Sequence, residues 1–243
     1  MTGAYMRSEV RRKFRDPRYL IFALAMPLIL FGAFGAAQSH NHLSGITVAA
    51  YVMVSMATFG AMSSVFSTGG AIAFERAIGW NRQLRITALT GRAYVAGNGL
   101  AGFAVAVPSL VLVFLAGGLL SHVHLSAGRW LMTSLSILLA LLPVAALGIW
   151  VGYMAKAESV QAISGAVYSL LSLLGGLWVP VTVFPHWIFE VIKALPMYWV
   201  AQAGRQALIG SWVGWQGVAV LTAWTGILAM FAARAYRRNS AKS

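Results

Sequence analysis

The chain has 243 residues, 59% of them hydrophobic and only 9% charged, with mean hydropathy +0.75 and a formal net charge of +13. Soluble domains are about 45–50% apolar and about 25% charged, so this composition excludes an ordinary water-soluble enzyme and indicates a polytopic membrane protein. The lack of cysteine excludes disulfides and thiolate metal sites, and the basic residues cluster between apolar runs, which argues for topogenic charge over nucleic-acid binding.

At the amino end, residues 4–15 place Met6, Val10 and Phe14 on one helical stripe and Arg7, Arg11 and Arg15 on the adjoining face. This predicts an amphipathic interfacial helix, its basic side toward anionic membrane lipid; a plain topogenic cluster is compatible with the same residues. Asp16-Pro17 predicts a helix start, with Asp as cap and Pro in the first turn. Stretches free of Asp, Glu, Lys and Arg cover 19–74, 93–128, 130–155, 159–189 and 206–233. A helix crossing the hydrocarbon needs about 20 residues. The first stretch is long enough for two and is broken by the polar turn Gln38-Ser39-His40-Asn41-His42. The predicted spans are 19–37, 46–70, 94–119, 129–153, 159–179 and 212–233. Gly35-Ala36-Ala37 offers a signal-cleavage pattern, but the apolar run before it is longer than a usual signal core, so it is read as an uncleaved first span.

All but three of the eighteen Lys and Arg fall on one side of this topology; Arg129, Lys193 and Arg205 fall on the other. Both termini are therefore expected in the cytoplasm. All five histidines fall outside. His40 with His42, and His122 with His124, form His-x-His pairs, but no carboxylate or cysteine accompanies them, and no metal site is expected.

On the second span Thr47, Tyr51, Ser55, Thr58 and Met62 recur at helical spacing. On the fifth, Gln161, Ser164, Tyr168 and Ser172 do the same. Two readings fit: a mildly polar route for an amphiphilic substrate, or hydroxyl and small-residue packing between membrane helices. Pro27, Pro108 and Pro143 lie inside apolar runs and predict kinks. Glu158 opens the fifth span, where a carboxylate favours the helix dipole. The stretch 73–94, AFERAIGWNRQLRITALTGRAY, carries one Glu and four Arg between two long apolar runs. It reads as a short helix to Ile78, a break at Gly79 and an aromatic anchor at Trp80. Glu75 and Arg76 are expected on the surface of this inner loop, so that replacing both by Ala leaves folding intact. Residues 181–205 are too polar and Pro-interrupted for a clean span. Pro185 and Pro196 break them, Trp187, Tyr198 and Trp199 suit the outer interface, and Glu190 and Lys193 are three apart, close enough to pair on a helix. A short outer helical hairpin or an ordinary interfacial loop fits.

None of the five acids, Glu9, Asp16, Glu75, Glu158 and Glu190, lies well inside a predicted span, unlike the usual ion-driven transporter. No nucleophile–base set and no phosphate-binding loop is present. If the chain drives uphill transport, ATP is hydrolysed on another chain, and the 73–94 loop is where such an ATPase would push.

Residues 74–98, FERAIGWNRQLRITALTGRAYVAGN, resemble the first inner loop of ABC-2 type permeases, the membrane subunits of many bacterial ABC exporters. The match rests on Glu75, Arg76, Gly79, Arg82 and Leu84. RKFRDPRYLIF (12–22) resembles that family's lead-in to its first span, and LWVPVTVFPHWIFEVIKALPMYWVAQAGRQAL (177–208) resembles its re-entrant outer segment. Ala88-Leu89-Thr90 stands where many relatives have a Pro-containing turn, which bears on the shape of the loop's exit. The resemblance implies an all-α, type V exporter-like fold: a single domain over 1–243 with an interfacial helix (1–18), spans one to five (19–180), an outer re-entrant segment (181–210), then span six and a basic tail (211–243). It implies a bacterial cell-membrane location, a dimer of permease subunits, and two separate ATPase subunits holding ATP and Mg. ATPase coupling is then expected at Glu75, Arg76, Gly79, Trp80, Arg82, Leu84 and Glu158. The second and fifth spans face the dimer centre in this family, which favours Tyr51, Ser55, Thr58, Met62, Gln161, Ser164, Tyr168 and Ser172 as pathway, with Trp187, Glu190, Lys193 and Tyr198 as an outer gate. The implied activity is export of a hydrophobic or amphiphilic small molecule of the drug or antibiotic class. A lipid or lipid-linked glycan flippase of the same fold, and a non-transporting anchor or sensor, are the alternatives.

Overall fold

A computed structural model describes residues 2–35, 42–43, 46–79 and 91–241. These residues are mostly helical. The first two helices are α1 (Thr2–Phe14) and α2 (Pro17–Phe34). A small antiparallel pair, β1 (His42–Leu43) and β2 (Ile46–Thr47), sets His42 opposite Thr47. It feeds α3 (Val48–Phe66), whose first turn is capped by Thr47 Oγ1 accepting from the Ala50 amide at 3.2 Å. Only Ser67 separates α3 from α4 (Thr68–Ala77), and the two form a 30-residue apolar unit. Then come α5 (Gly91–Leu120), α6 (Ala127–Ala140), α7 (Leu142–Met154) and α8 (Ala157–Leu174). A 3-10 turn (Val181–Val183) leads to α9 (His186–Lys193), α10 (Pro196–Leu208) and the long α11 (Trp215–Ala241).

Among the described residues, five helical units are long and apolar enough to cross a membrane: Val48–Ala77, Ala93–Leu120, Ala127–Met154, Ala157–Leu174 and Trp215–Asn239. They overlay predicted spans two to six. The apolar part of α2, Ala23–Phe34, is shorter than these. At the predicted prolines the helices differ. Pro27 and Pro108 sit within uninterrupted α2 and α5, whereas Pro143 follows the joint at Leu141 and occupies the first turn of α7. Proline costs little there, because its missing N–H is one that a first turn leaves unpaired anyway.

α3 is the hub, packed on α2, α5, α7, α8 and α10 and covered nearly all round; α8 and α11 are left mostly uncovered. Met53, Met62, Val65, Leu110, Ile137 and Met197 fill the centre, each at most 1% exposed. α4 lies against α7 at backbone distance. A Cβ on Gly69 would overlap the Gly148 carbonyl, and one on Gly152 would overlap the Gly69 carbonyl. Small residues at this spacing let membrane helices approach closely. α10 has 13 residues, about 20 Å of helix, too short to cross a hydrocarbon core of about 30 Å. It is nonetheless buried along most of its length against α6 and α3. α1, the end of α4, the start of α5, the end of α7 and the end of α11 meet at one end of the bundle, here the basic end; α9 and α10 lie toward the other, the hairpin end.

Candidate functional site

At the basic end two consecutive residues of α4 reach in different directions, since neighbours on a helix diverge by about 100°. Glu75, 5% exposed, accepts hydrogen bonds from Arg12 Nη2 of α1 and from the Tyr94 hydroxyl of α5. Arg12 also bridges to Glu9 at 2.8 Å. Tyr5 packs its ring on Tyr94 with centroids 6.2 Å apart, and its hydroxyl accepts from Asn98 Nδ2 at 3.3 Å. Lys13 donates to Ser67 Oγ at 3.0 Å. Burial pushes the Lys13 ammonium down to about 8, with Arg12 adding to the shift and Glu9, Glu75 and Asp16 opposing it. Burial likewise pushes the Glu9 carboxyl up, against the pull of Arg12.

Arg76 turns the other way. Its Nη1 donates to the Gly152 and Tyr153 carbonyls at 2.8 and 2.7 Å, in the last turn of α7, and its Nη2 donates to Asn239 Oδ1 of α11 at 2.8 Å. A cation is well placed there, because a helix carboxyl end carries unpaired carbonyls and partial negative charge. The expected surface pair is thus turned inward, joining α4 to α1 and α5 on one flank and to α7 and α11 on the other. The sequence could not show this, because the contacts of 75 and 76 depend on partners 19 to 163 residues away. Gly79 has φ +74 and ends α4 in the left-handed conformation that favours glycine. Trp80, Arg82 and Leu84 lie outside the described residues. Glu158 is exposed in the first turn of α8.

A cleft of about 770 Å³ opens beside this clamp, between α1, α3–α4 and α8. Basic Arg12 and Lys13, acidic Asp16 and Glu75, and neutral Ser67, Gln161, Ser164 and Tyr168 are among its polar lining, and Phe66, Phe74 and Ile78 among its apolar lining. Tyr168 donates to the Phe59 carbonyl at 2.9 Å with the two rings 4.9 Å apart, joining α8 to α3. Ser172, one turn on, is fully buried and donates to the Tyr168 carbonyl at 2.8 Å. Of the α3 stripe, Thr58 and Met62 are fully buried within the subunit. Tyr51 and Ser55 instead meet a residue that sequence reasoning counted only as a loop charge.

That residue is Arg205 on α10, 7% exposed. Its Nη2 donates to Ser55 Oγ at 3.0 Å and to the Gly176 carbonyl just past α8, and its guanidinium carbon lies 4.1 Å from the Tyr51 ring centroid. Tyr51 donates to the same Gly176 carbonyl at 3.3 Å. A sequence signal was present: Tyr198, Gln202 and Arg205 share one face of a segment too short to span, and Gln202 donates to the Tyr198 hydroxyl at 3.0 Å.

On the hairpin, Lys193 Nζ donates to Glu190 Oε1 at 2.8 Å and lies 4.4 Å from the centre of the Phe189 ring. The Lys193 bond holds the Glu190 carboxyl below its ordinary range. Trp187 is 70% exposed, while Tyr198 is buried edge-on against Phe189. The His122 and His124 rings are 6.4 Å apart. Among the described residues no three His, Asp or Glu gather into a metal-binding group; His40 lies outside them.

Residues 2–209 match the sequence pattern of the ABC-2 type transporter family, from the first turn of α1 to the end of α10. The chain belongs to that family. The chain is also similar to a Bacillus subtilis (strain 168) protein named "Putative transport permease YvfS", 29% identical over 233 residues that cover 96% of this chain and 95% of the relative. The protein is therefore a multi-pass ABC-2 permease and not the ATPase. ABC-2 permeases in general work with ABC ATPase subunits, which hydrolyse the ATP. The clamp, the cleft and Arg205 all lie within the stretch that matches the family.

Proposed function

We propose that this permease is the transmembrane subunit of an ATP-driven exporter that moves hydrophobic or amphiphilic small molecules of the drug or antibiotic class out of the cell. The carrying observation is the cleft between α1, α3–α4 and α8, which is large enough for a small molecule and mixes apolar walls with hydroxyl, amide, cationic and acidic groups. In this reading α2 is the first of six spans, α1 lies on the inner membrane surface, both termini are cytoplasmic, and α9–α10 forms an outer re-entrant hairpin. The whole chain acts as one transmembrane domain. Two such subunits, identical or different, meet along the uncovered face of α8, and two ATPase subunits press on the Gly79 end of α4. Glu75 and Arg76 would pass that push into the bundle, and Trp80, Arg82, Leu84 and Glu158 would receive it. Gln161, Ser164 and Tyr168 meet substrate first; Trp187, Glu190, Lys193 and Tyr198 sit at the exit.

The test is reconstitution of the permease with the ATPase it copurifies with, in liposomes loaded with a fluorescent cationic or neutral amphiphilic dye. ATP-dependent dye movement away from the ATPase side is the expected result. Capture of no ATPase, or movement indistinguishable from empty liposomes across a dye panel, overturns the reading. Single cysteines at Ser8 and Ser211 of this cysteine-free chain report topology: labelling of Ser211→Cys but not Ser8→Cys from outside intact cells is expected.

A further inference from the structure

We propose that Arg205 is an anion-recognition site, taking the carboxylate or phosphate group of a transported amphiphile near the hairpin end of the α3–α8 seam. A guanidinium does not give up its proton, so Arg205 is a cation in a site where little water reaches it. Buried charges are ordinarily paired. This chain has five acids, all described, and each is engaged or placed elsewhere. Glu9 and Glu75 hold Arg12; Asp16 lies beside them at the α1–α2 turn. Glu158 is in the first turn of α8, whereas Gly176 lies just beyond its last, about 25 Å away along an 18-residue helix. Glu190 is held by Lys193. The groups that do touch Arg205 are neutral: the Ser55 hydroxyl, the Gly176 carbonyl and the Tyr51 ring. The carboxyl end of α8 contributes only about half a unit of negative charge.

The hydrogen-bond count agrees. Among the described residues, the buried Arg205 Nε has no hydrogen-bond acceptor. With both N–H bonds of Nη2 given to Ser55 and Gly176, the Nε–H remains as a donor for one carboxylate or phosphate oxygen, in a charge-assisted bond. The site also lies on a continuous line. From the cleft, the α3–α8 seam runs through Tyr168 on Phe59 to Tyr51 and Arg205 on Gly176. Ser55 is two turns into α3 from the Thr47 cap, roughly 12 Å from that end of the helix. An amphiphile advancing along this seam would bring its charged group to the one buried cation there while its tail remained among apolar side chains.

The inference rests on the export reading for its ligand, but it is tested by binding alone. The full chain is placed in nanodiscs of zwitterionic lipid, and its unfolding temperature is followed against octyl phosphate, octanol and inorganic phosphate. Octyl phosphate is expected to act at about tenfold lower concentration than octanol, the effect of one charge-assisted contact. Arg205→Gln should erase the difference, and Arg205→Lys, which keeps a charge without the Nε–H donor, should retain part of it. Equal action of octyl phosphate and octanol on the unaltered protein overturns the proposal without any variant having to fold. So does a preference that survives Arg205→Gln. Inorganic phosphate acting as strongly as octyl phosphate also overturns it, by making the site one for a free anion. If the binding result fails while dye export succeeds, the export reading stands and only the Arg205 assignment falls.

Discussion

Replacing Glu75 by alanine removes the acceptor shared by Arg12 and Tyr94 and leaves the buried Tyr94 hydroxyl without its partner. A stranded buried donor costs about 1–3 kcal/mol, more when the lost group was charged. Glu75→Ala should therefore lower the unfolding temperature of the detergent-solubilised permease by several degrees, and Glu75→Gln, which keeps an acceptor, by less. Equal and negligible shifts would return the residue to the exposed role that its loop position implied. Lys13 gives a pH signature. Its folded-state value of about 8 lies below the ordinary 10.5. Between these values the unfolded chain keeps a proton that the folded one has released, so stability rises with pH across that interval. Unfolding temperatures between pH 8 and pH 10 should climb in the unaltered protein relative to Lys13→Met, and a slope shared by both would assign the effect to other groups. Neither expectation was available from sequence, where Glu75 and Lys13 were two charges in basic segments. Their burial comes from α1 folding back onto α5 and α4, a contact that hydropathy does not register.

Helices were far more legible than their contacts. The uncharged stretches located α3 to α8 and α11 because a spanning helix must be long and apolar, a constraint that depends on no neighbour. The bend was different. Three prolines looked alike in sequence, and only Pro143 lies at a joint between helices. The close packing of α4 on α7 was invisible for the same reason, since Gly69 and Gly70 are adjacent and chemically identical. In the structure a Cβ at Gly69 would strike the Gly148 backbone, and one at Gly70 would meet nothing within 4 Å. Both are helical, so alanine should gain about 0.5–1 kcal/mol from reduced backbone freedom at either site. At Gly69 the overlap should outweigh that gain, costing about 1–3 kcal/mol. Gly69→Ala is expected to unfold at lower temperature than the parent and Gly70→Ala at equal or higher temperature; the reverse order would mean that α4 and α7 are not in backbone contact.

For the whole molecule, the uneven covering of its spans carries the expectation. α3 is enclosed within the subunit, whereas α8 shows Ile163 and Leu170 to the outside and buries little of its length. Under the dimer reading these positions meet a second subunit. In the cysteine-free background, Leu170→Cys should form an oxidative cross-link between subunits in native membranes, and Leu139→Cys, equally exposed on α6, should not. Cross-linking at both or at neither would remove α8 as the shared face. Arg205 belongs to this scale as well. The sequence showed a cation outside every span and treated it as orientation, because the enclosing surfaces of α3, α8 and α10 come from three distant parts of the chain.

The two tethered residues of α4 have a mechanical consequence. Glu75 is tethered toward α1 and α5, and Arg76, the next residue, toward α7 and α11. Rotating α4 about its own axis would draw both side chains away from the flanks they face, so the helix resists torque. Sliding or tilting it carries both flanks along. A load applied at Gly79 would then travel as displacement of four helices together, in the manner of a push-rod and not of a turning key.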